Sequence, residues 1–363
     1  DGERTILTMA NDFQGDVKDF AIVVPVPTIL KKDRVRIGDA KIIERLDAFS
    51  APRLVEYFDA DPCAPMYLNE GVLRAPSNLS TQSMAKSRDR ADKLGVTIEE
   101  KFTVGEYDIL ILSAKESGGL ETWLTQNGYK IPTGAKQVLQ AYIRQNMKFF
   151  VAKVNLEELE KSDTQFLRPL MMAFESKRFM LPIRLGMVNA KGDQDLLVYI
   201  LSPKGQVEVS NYRTVNIPSD AEIPVYVKNE FGSFYKSMFQ TAHRREDKRV
   251  AFLEYAWDMG SCDPCSADPL NPEELAKAGV FWLNSPEPSN NSFRDRAFPT
   301  PPRGISMNRG VFITRLHIRY NRDRFPEDLM FQETSNRNQF QGRYIMRHAF
   351  KGEAKCEAGQ QYK

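Results

Sequence analysis

Apolar positions along the chain fall into two periods. Alternating or continuous runs of β-branched and aromatic residues predict strands over 5–9, 20–26, 96–104, 107–112, 149–154, 170–174, 179–188, 196–201, 206–209, 214–217, 250–257, 311–320 and 343–350. The first two, joined by the polar turn 11–16 with Gly15 in it, read as a hairpin, and 96–104 with 107–112 as a second hairpin across Gly105-Glu106. Helical spacing predicts two short helices within 39–58, broken at Pro52, and further helices over 119–127, 134–147 and 231–246. Runs 149–154, 179–188, 196–201 and 250–256 are the most continuously apolar, so they are expected as core strands covered on both faces. The shorter, more polar 206–209 and 214–217 suit edge strands.

Hairpin-like strand pairs with clustered helices, rather than strict β-α-β alternation, predict an α+β fold with a mixed, mostly antiparallel sheet and long surface loops. The chain divides into 1–118, an N-terminal hairpin and helix region with a polar loop at 74–93; 119–283, a central α+β core; and 284–363, a proline-rich loop to about 309 followed by C-terminal strands packed on the same core.

The 363 residues carry 50 lysines and arginines against 48 aspartates and glutamates, so no bulk field recruits nucleic acid. Arg315, Arg319, Arg322, Arg324, Arg337, Arg343 and Arg347 interleave with aromatics, but nearby Glu327, Asp328, Glu333, Glu353 and Glu357 point to surface ion pairs and a protein-facing patch. No apolar run reaches the about 18 residues a spanning helix needs, which leaves peripheral membrane association open. The sequence begins at Asp1 almost directly with a strand, which suggests a removed targeting segment.

Candidate chemistry concentrates in residues 249–278. A buried strand at 250–257 runs into a turn holding Cys262-Asp-Pro-Cys265, and a short helix follows, capped by Asn271 with Pro272 at its first position. Helix stabilisation of a thiolate fades within a turn, and six residues separate Cys265 from Pro272, a poor geometry for redox catalysis. Zinc at Cys262 and Cys265 would need Cys63, Cys356 or His243, His317 or His348 to converge from afar. A disulfide, either Cys262 to Cys265 or through Cys63 or Cys356, is the simplest reading, and free buried thiols are a fourth.

Elsewhere His317 alternates with Arg315 and Arg319 and reads as part of a polar strand face, while His243 lies in a charge run typical of a solvated helix end. Glu254, Asp258, Asp263 and Asp268 match no calcium loop or carboxylate pair and read as a solvated rim. Gly-x-Ser-x-Gly and the glycine-rich phosphate loops do not occur, so no catalytic residues and no cofactor are assigned.

Several phrases together resemble one bacterial family: Ile6-Leu-Thr-Met-Ala-Asn-Asp, Phe20-Ala-Ile-Val-Val-Pro-Val-Pro, Ala51-Pro-Arg-Leu-Val-Glu-Tyr, Phe149-Phe-Val-Ala-Lys-Val-Asn, Met180-Leu-Pro-Ile-Arg-Leu-Gly-Met, Glu254-Tyr-Ala-Trp-Asp-Met with Cys262-Asp-Pro-Cys, and Phe325-Pro-Glu-Asp-Leu with Gln341-Gly-Arg-Tyr. That family is domain of unknown function 2330. The resemblance implies export to the periplasm or cell surface, a signal peptide ahead of Asp1, and a further cysteine-bearing strand upstream that could supply a disulfide partner. It carries no catalytic residues. The expectation is therefore an exported envelope protein acting as a binding or structural component, a subunit of a larger assembly whose partners are other envelope proteins. A thiol-redox or metal-dependent enzyme centred on Cys262 and Cys265 is the alternative.

Overall fold

The run at 250–257 forms a strand whose residues are buried up to its last, Asp258, because both of its faces are covered. The computed structural model describes residues 4–10, 21–60, 94–161, 167–190, 192–261, 266–284, 310–321, 325 and 327–352. In chain order the strands are β1 (Arg4–Met9), β2 (Ala21–Val26), β3 (Val35–Ile37), β4 (Arg53–Phe58), β5 (Val96–Val104), β6 (Tyr107–Ala114), β7 (Lys148–Val154), β8 (Leu170–Glu175), β9 (Met180–Leu181), β10 (Gln194–Ser202), β11 (Val207–Val209), β12 (Arg213–Asn216), β13 (Ala221–Glu222), β14 (Val250–Asp258), β15 (Phe312–Tyr320), β16 (Leu329–Glu333), β17 (Phe340–Gln341) and β18 (Arg343–His348). The helices are α1 (Ala40–Ser50), α2 (Ser117–Gln126), α3 (Ala135–Arg144), α4 (Leu156–Lys161), α5 (Arg184–Asn189), α6 (Phe231–Arg245) and α7 (Pro272–Lys277).

Five sheets result among the described residues: β10-β15-β14-β12 with β17 added to β14, β2-β7-β6-β5, β1-β8-β3, β11-β16-β9 and β13-β18-β4. Most pairings are antiparallel; β12 with β14, β13 with β18 and β18 with β4 are parallel. The fold is α+β, as the pattern predicted.

Four expectations need correction. Residues 5–9 and 21–26 are strands but not a hairpin: β1 pairs with β8 and β2 with β7, and the expected turn 11–16 lies outside the described residues. An isolated hairpin is marginal, whereas β7 and β8 offer almost fully buried partners. The second helix of 39–58 is a strand instead, β4, because Pro52 ends α1 and the Leu54, Val55, Tyr57 and Phe58 that follow are good strand formers that ladder in parallel onto β18. Run 179–188 breaks into the two-residue β9 and α5. Pro182 cannot donate to a ladder, and the Asp328 carboxylate accepts from Ile183 N–H at 2.9 Å and Arg184 N–H at 3.3 Å, capping α5 from far along the chain. Finally, 196–201 lies in β10, which is an edge strand and not a central one.

The site is positioned by a break in alternation on β14. Leu253 pairs with Leu316 and Tyr255 with Arg315, so Glu254 is the extra residue of a β-bulge. Ala251 and Leu253 before the bulge and Ala256 after it share one core with Phe312, Leu316 and Ile318 of β15. On the opposite face Phe252 packs with Phe239 of α6, while Tyr255 and Trp257 pack with Ile42, Leu46 and Phe49 of α1. Between those two apolar clusters the same face carries a seam of charge.

Candidate functional site

Glu254, Arg315 and His317 form the centre of that seam, and all three are buried. Glu254 accepts from Arg315 Nε at 2.6 Å, from His317 Nδ1 at 2.8 Å and from the Tyr235 hydroxyl of α6. Arg315 reaches on to Asp47 of α1 at 2.6 Å, and the Tyr199 hydroxyl of β10 donates to the same oxygen at 2.7 Å. His317 Nε2 donates to Asp195 of β10 at 3.0 Å, and Arg319 grips both oxygens of Asp195 at 2.7 and 2.9 Å. The His317 ring stacks on Phe239 with centroids 4.0 Å apart. One connected network thus ties α1, α6, β10, β14 and β15 together.

Its charges balance, and each is held by the others. Burial pushes the Glu254 carboxyl up, but the hydrogen bond and charge of His317 together with Arg315 outweigh it and hold the group below the ordinary glutamate value. Burial disfavours the His317 imidazolium, yet Asp195 and Glu254 raise it above the ordinary value. Burial likewise works against the Asp195 carboxylate, and His317 and Arg319 depress it well below the ordinary range. With a carboxylate on each ring nitrogen, His317 donates twice and keeps no lone pair for base chemistry. Burial and the facing Glu254 raise Tyr235, and burial raises Tyr199, so both hydroxyls stay protonated donors. The network is an electrostatic clamp rather than an acid–base device.

Two members of the clamp, Asp195 and Tyr199, also line a cleft of about 1460 Å³. The cleft takes its lining from β1, β2, β10, α1, the stretch 176–186 and the chain after α7. Residues 4–10, 21–24 and 194–201 line it without a gap. A strand presenting one face to a cavity contributes alternate residues, so unbroken runs mean that β1, β2 and β10 turn their edges to it. Each of them ends its sheet, and among the described residues no strand pairs with its outer edge.

A family model described as an uncharacterized protein conserved in bacteria, DUF2330, matches residues 1–332. The chain belongs to that family. No curated protein and no solved structure matches the chain. Within this DUF2330 chain, Cys63, Cys262, Cys265 and Cys356, together with loop 74–93 and most of 284–309, lie outside the described residues. Among the described residues no group of three or more histidines, cysteines and acids is placed to hold a metal, and no helix is long and apolar enough to cross a membrane.

Where the remaining candidates lie differs from the sequence reading. Glu254 is not on a solvated rim but 1% exposed, and the polar face of His317 and Arg315 points inward under α1 and α6. His243 is buried too, its Nε2 at 3.1 Å from the Arg319 carbonyl and its ring stacked on Phe239. Four of the tail arginines form ion pairs, Arg319 with Asp195, Arg337 with Asp258, Arg343 with Asp220 and Arg347 with Glu222, while Arg322 and Arg324 lie outside the described residues. One signal pointed to the clamp: a glutamate inside the otherwise apolar run 250–257 has to find partners, because such a group is almost never buried unpaired.

Proposed function

We propose that the chain is an exported bacterial protein of the cell envelope that works by binding other envelope proteins, with the partner seated in the cleft bounded by β1, β2 and β10. The cleft carries this reading. It is large, its lining contains exposed apolar groups such as Leu197, and the charged network beside it makes its wall rigid without offering a free base or nucleophile. Buried networks whose members are all engaged specify geometry, which suits a preformed binding surface. Export rests on the family phrases, and in an oxidising compartment Cys262 and Cys265 are expected to be oxidised, either to each other or in links to Cys63 or Cys356.

Native mass spectrometry on protein purified from envelope fractions of its source tests the reading. A species heavier than the single chain, with Cys262 and Cys265 in disulfides on peptide mapping, is the expected outcome. A lone chain recovered from the cytosol, with all four cysteines reduced, contradicts it.

A further inference from the structure

We infer that His317 is a proton switch in the wall of the cleft: as pH rises it gives up the hydrogen on Nε2 to solvent, keeps the one on Nδ1, and thereby releases Asp195 from the clamp toward the cleft. The switch is a property of the chain alone and holds whether or not a partner occupies the cleft. In the closed state every part of it is engaged. His317 Nδ1 stands 2.8 Å from Glu254 and Nε2 3.0 Å from Asp195, and an ionised carboxylate only accepts, so the arrangement needs a hydrogen on both nitrogens. With the ring charged, Arg315, His317 and Arg319 face Glu254, Asp195 and Asp47, and the charges cancel. A neutral ring leaves one carboxylate in excess.

Exposure decides which carboxylate loses its donor. Glu254 is 1% exposed, so no water replaces a hydrogen bond taken from it. The Asp195 side chain is 47% exposed, lines the cleft and keeps both hydrogen bonds from Arg319. Stripping a donor from the buried group costs its full desolvation, whereas the exposed group rehydrates. The last ring hydrogen therefore stays on Nδ1, and the Nε2 lone pair is left facing an oxygen of Asp195. Two acceptors at hydrogen-bond distance repel, and Asp195, at the cleft, is the one free to move.

The other groups around the ring do not take over its role. Leu197 of β10 and Phe252 of β14 are its register partners, and the Phe239 ring of α6 stacks on it. Tyr235 of α6 and Tyr199 of β10, raised first by burial, keep their hydrogens, and Tyr344 of β18 donates to the Pro218 carbonyl at 2.6 Å. Arg319 is raised by its hydrogen bond to Asp195, and Arg315, against its burial, by Glu254, so both stay charged. Asp47 of α1 acts through Arg315, and Asp193, ahead of β10, accepts from Asn321. His243 of α6 is lowered, first by burial, and titrates below His317. Burial disfavours the His317 imidazolium, yet Asp195 and Glu254 raise it, so the step falls above the ordinary 6.5, closed below and open above.

The test labels the three histidines of the full chain with nitrogen-15 and follows each ring through long-range proton–nitrogen spectra from about pH 5 to 9. His317 should be doubly protonated at the acid end and pass to the Nδ1–H form in a step above 6.5. Hydrogen–deuterium exchange should show 194–198 losing protection across the same step by at least about fivefold relative to 199–202. That second half of β10 is anchored by Tyr199 on Asp47 and Ser202 on Glu333, neither of which involves the ring. His317→Gln should abolish the step in 194–198. If that chain does not fold, Asp195→Asn takes its place and should abolish the step too, because an amide can donate to the bare Nε2 as well as accept from it. A ring already neutral at about pH 6, a last hydrogen on Nε2, equal changes in 194–198 and 199–202, or a step that survives in the variant overturns the inference.

Discussion

Glu254 is the residue on which the clamp turns. It is buried and accepts from Arg315, His317 and Tyr235 at once, so Glu254→Ala removes the one carboxylate that two buried cations share and leaves them only the half-exposed Asp47 and Asp195. Urea unfolding should show a loss of about 3–5 kcal/mol, the usual cost of removing one partner of a buried ion pair. The pH dependence of His317 has the opposite sign to that of its carboxylates. Its raised imidazolium stabilises the fold fully below the ordinary 6.5 and loses that effect as pH climbs through the raised value. Glu254 and Asp195, both depressed, stabilise above their ordinary 4.5 and 3.8 and lose the effect as pH falls through the depressed values. His243, lowered first by burial, acts against His317 below 6.5. The difference between wild type and His317→Gln isolates the one ring from the other: it should be largest at roughly pH 5–6 and shrink above 6.5, and a flat difference would refute the imidazolium. The alternation of Arg315, His317 and Arg319 on one strand face was readable from sequence. Their burial was not, because the elements that cover that face, α1 and α6 among them, are distant in the chain.

At the scale of elements, local signals worked where the helix or turn carried its own punctuation. α7 begins where Asn271 and Pro272 predicted, and a complete capping box with Glu274 closes its start. The 96–112 hairpin turns at Gly105, whose φ of 54° is the left-handed conformation its position required. Local signals failed where a tertiary partner decides. α5 is started by Asp328, which also holds Arg184 and accepts from Tyr142 of α3 at 2.6 Å, and nothing near residue 183 announces that carboxylate. β4 is a strand because β18 lies beside it. Close approach of elements is equally invisible in a sequence. At Gly119 a Cβ would sit 2.2 Å from the Leu94 carbonyl oxygen, whereas at Gly192 it would meet nothing within 4 Å. Gly119→Ala should therefore cost about 1–3 kcal/mol of stability, the range for overpacked sites, while Gly192→Ala stays close to wild type. Thermal unfolding of the pair decides, and equal Tm values would contradict the packing of α2 against the chain before β5.

Across the whole molecule, composition and patterning led to the α+β class because hairpins and clustered helices leave period-two and period-3.6 signatures. Which sheet each strand joins is settled by long-range pairing, and that is why the apolar run 196–201 read as central when it is the edge of its sheet. It is apolar because its neighbours bury part of it and because the cleft exposes the rest. The account depends on that edge being where a partner docks. The most direct measurement places a photo-crosslinking amino acid at Leu197 in the source bacterium, with Tyr226, 83% exposed and absent from the cleft lining, as the control position. A single heteromeric adduct at 197, missing at 226, is the predicted result. No adduct at 197, or the same adducts at both positions, would contradict it.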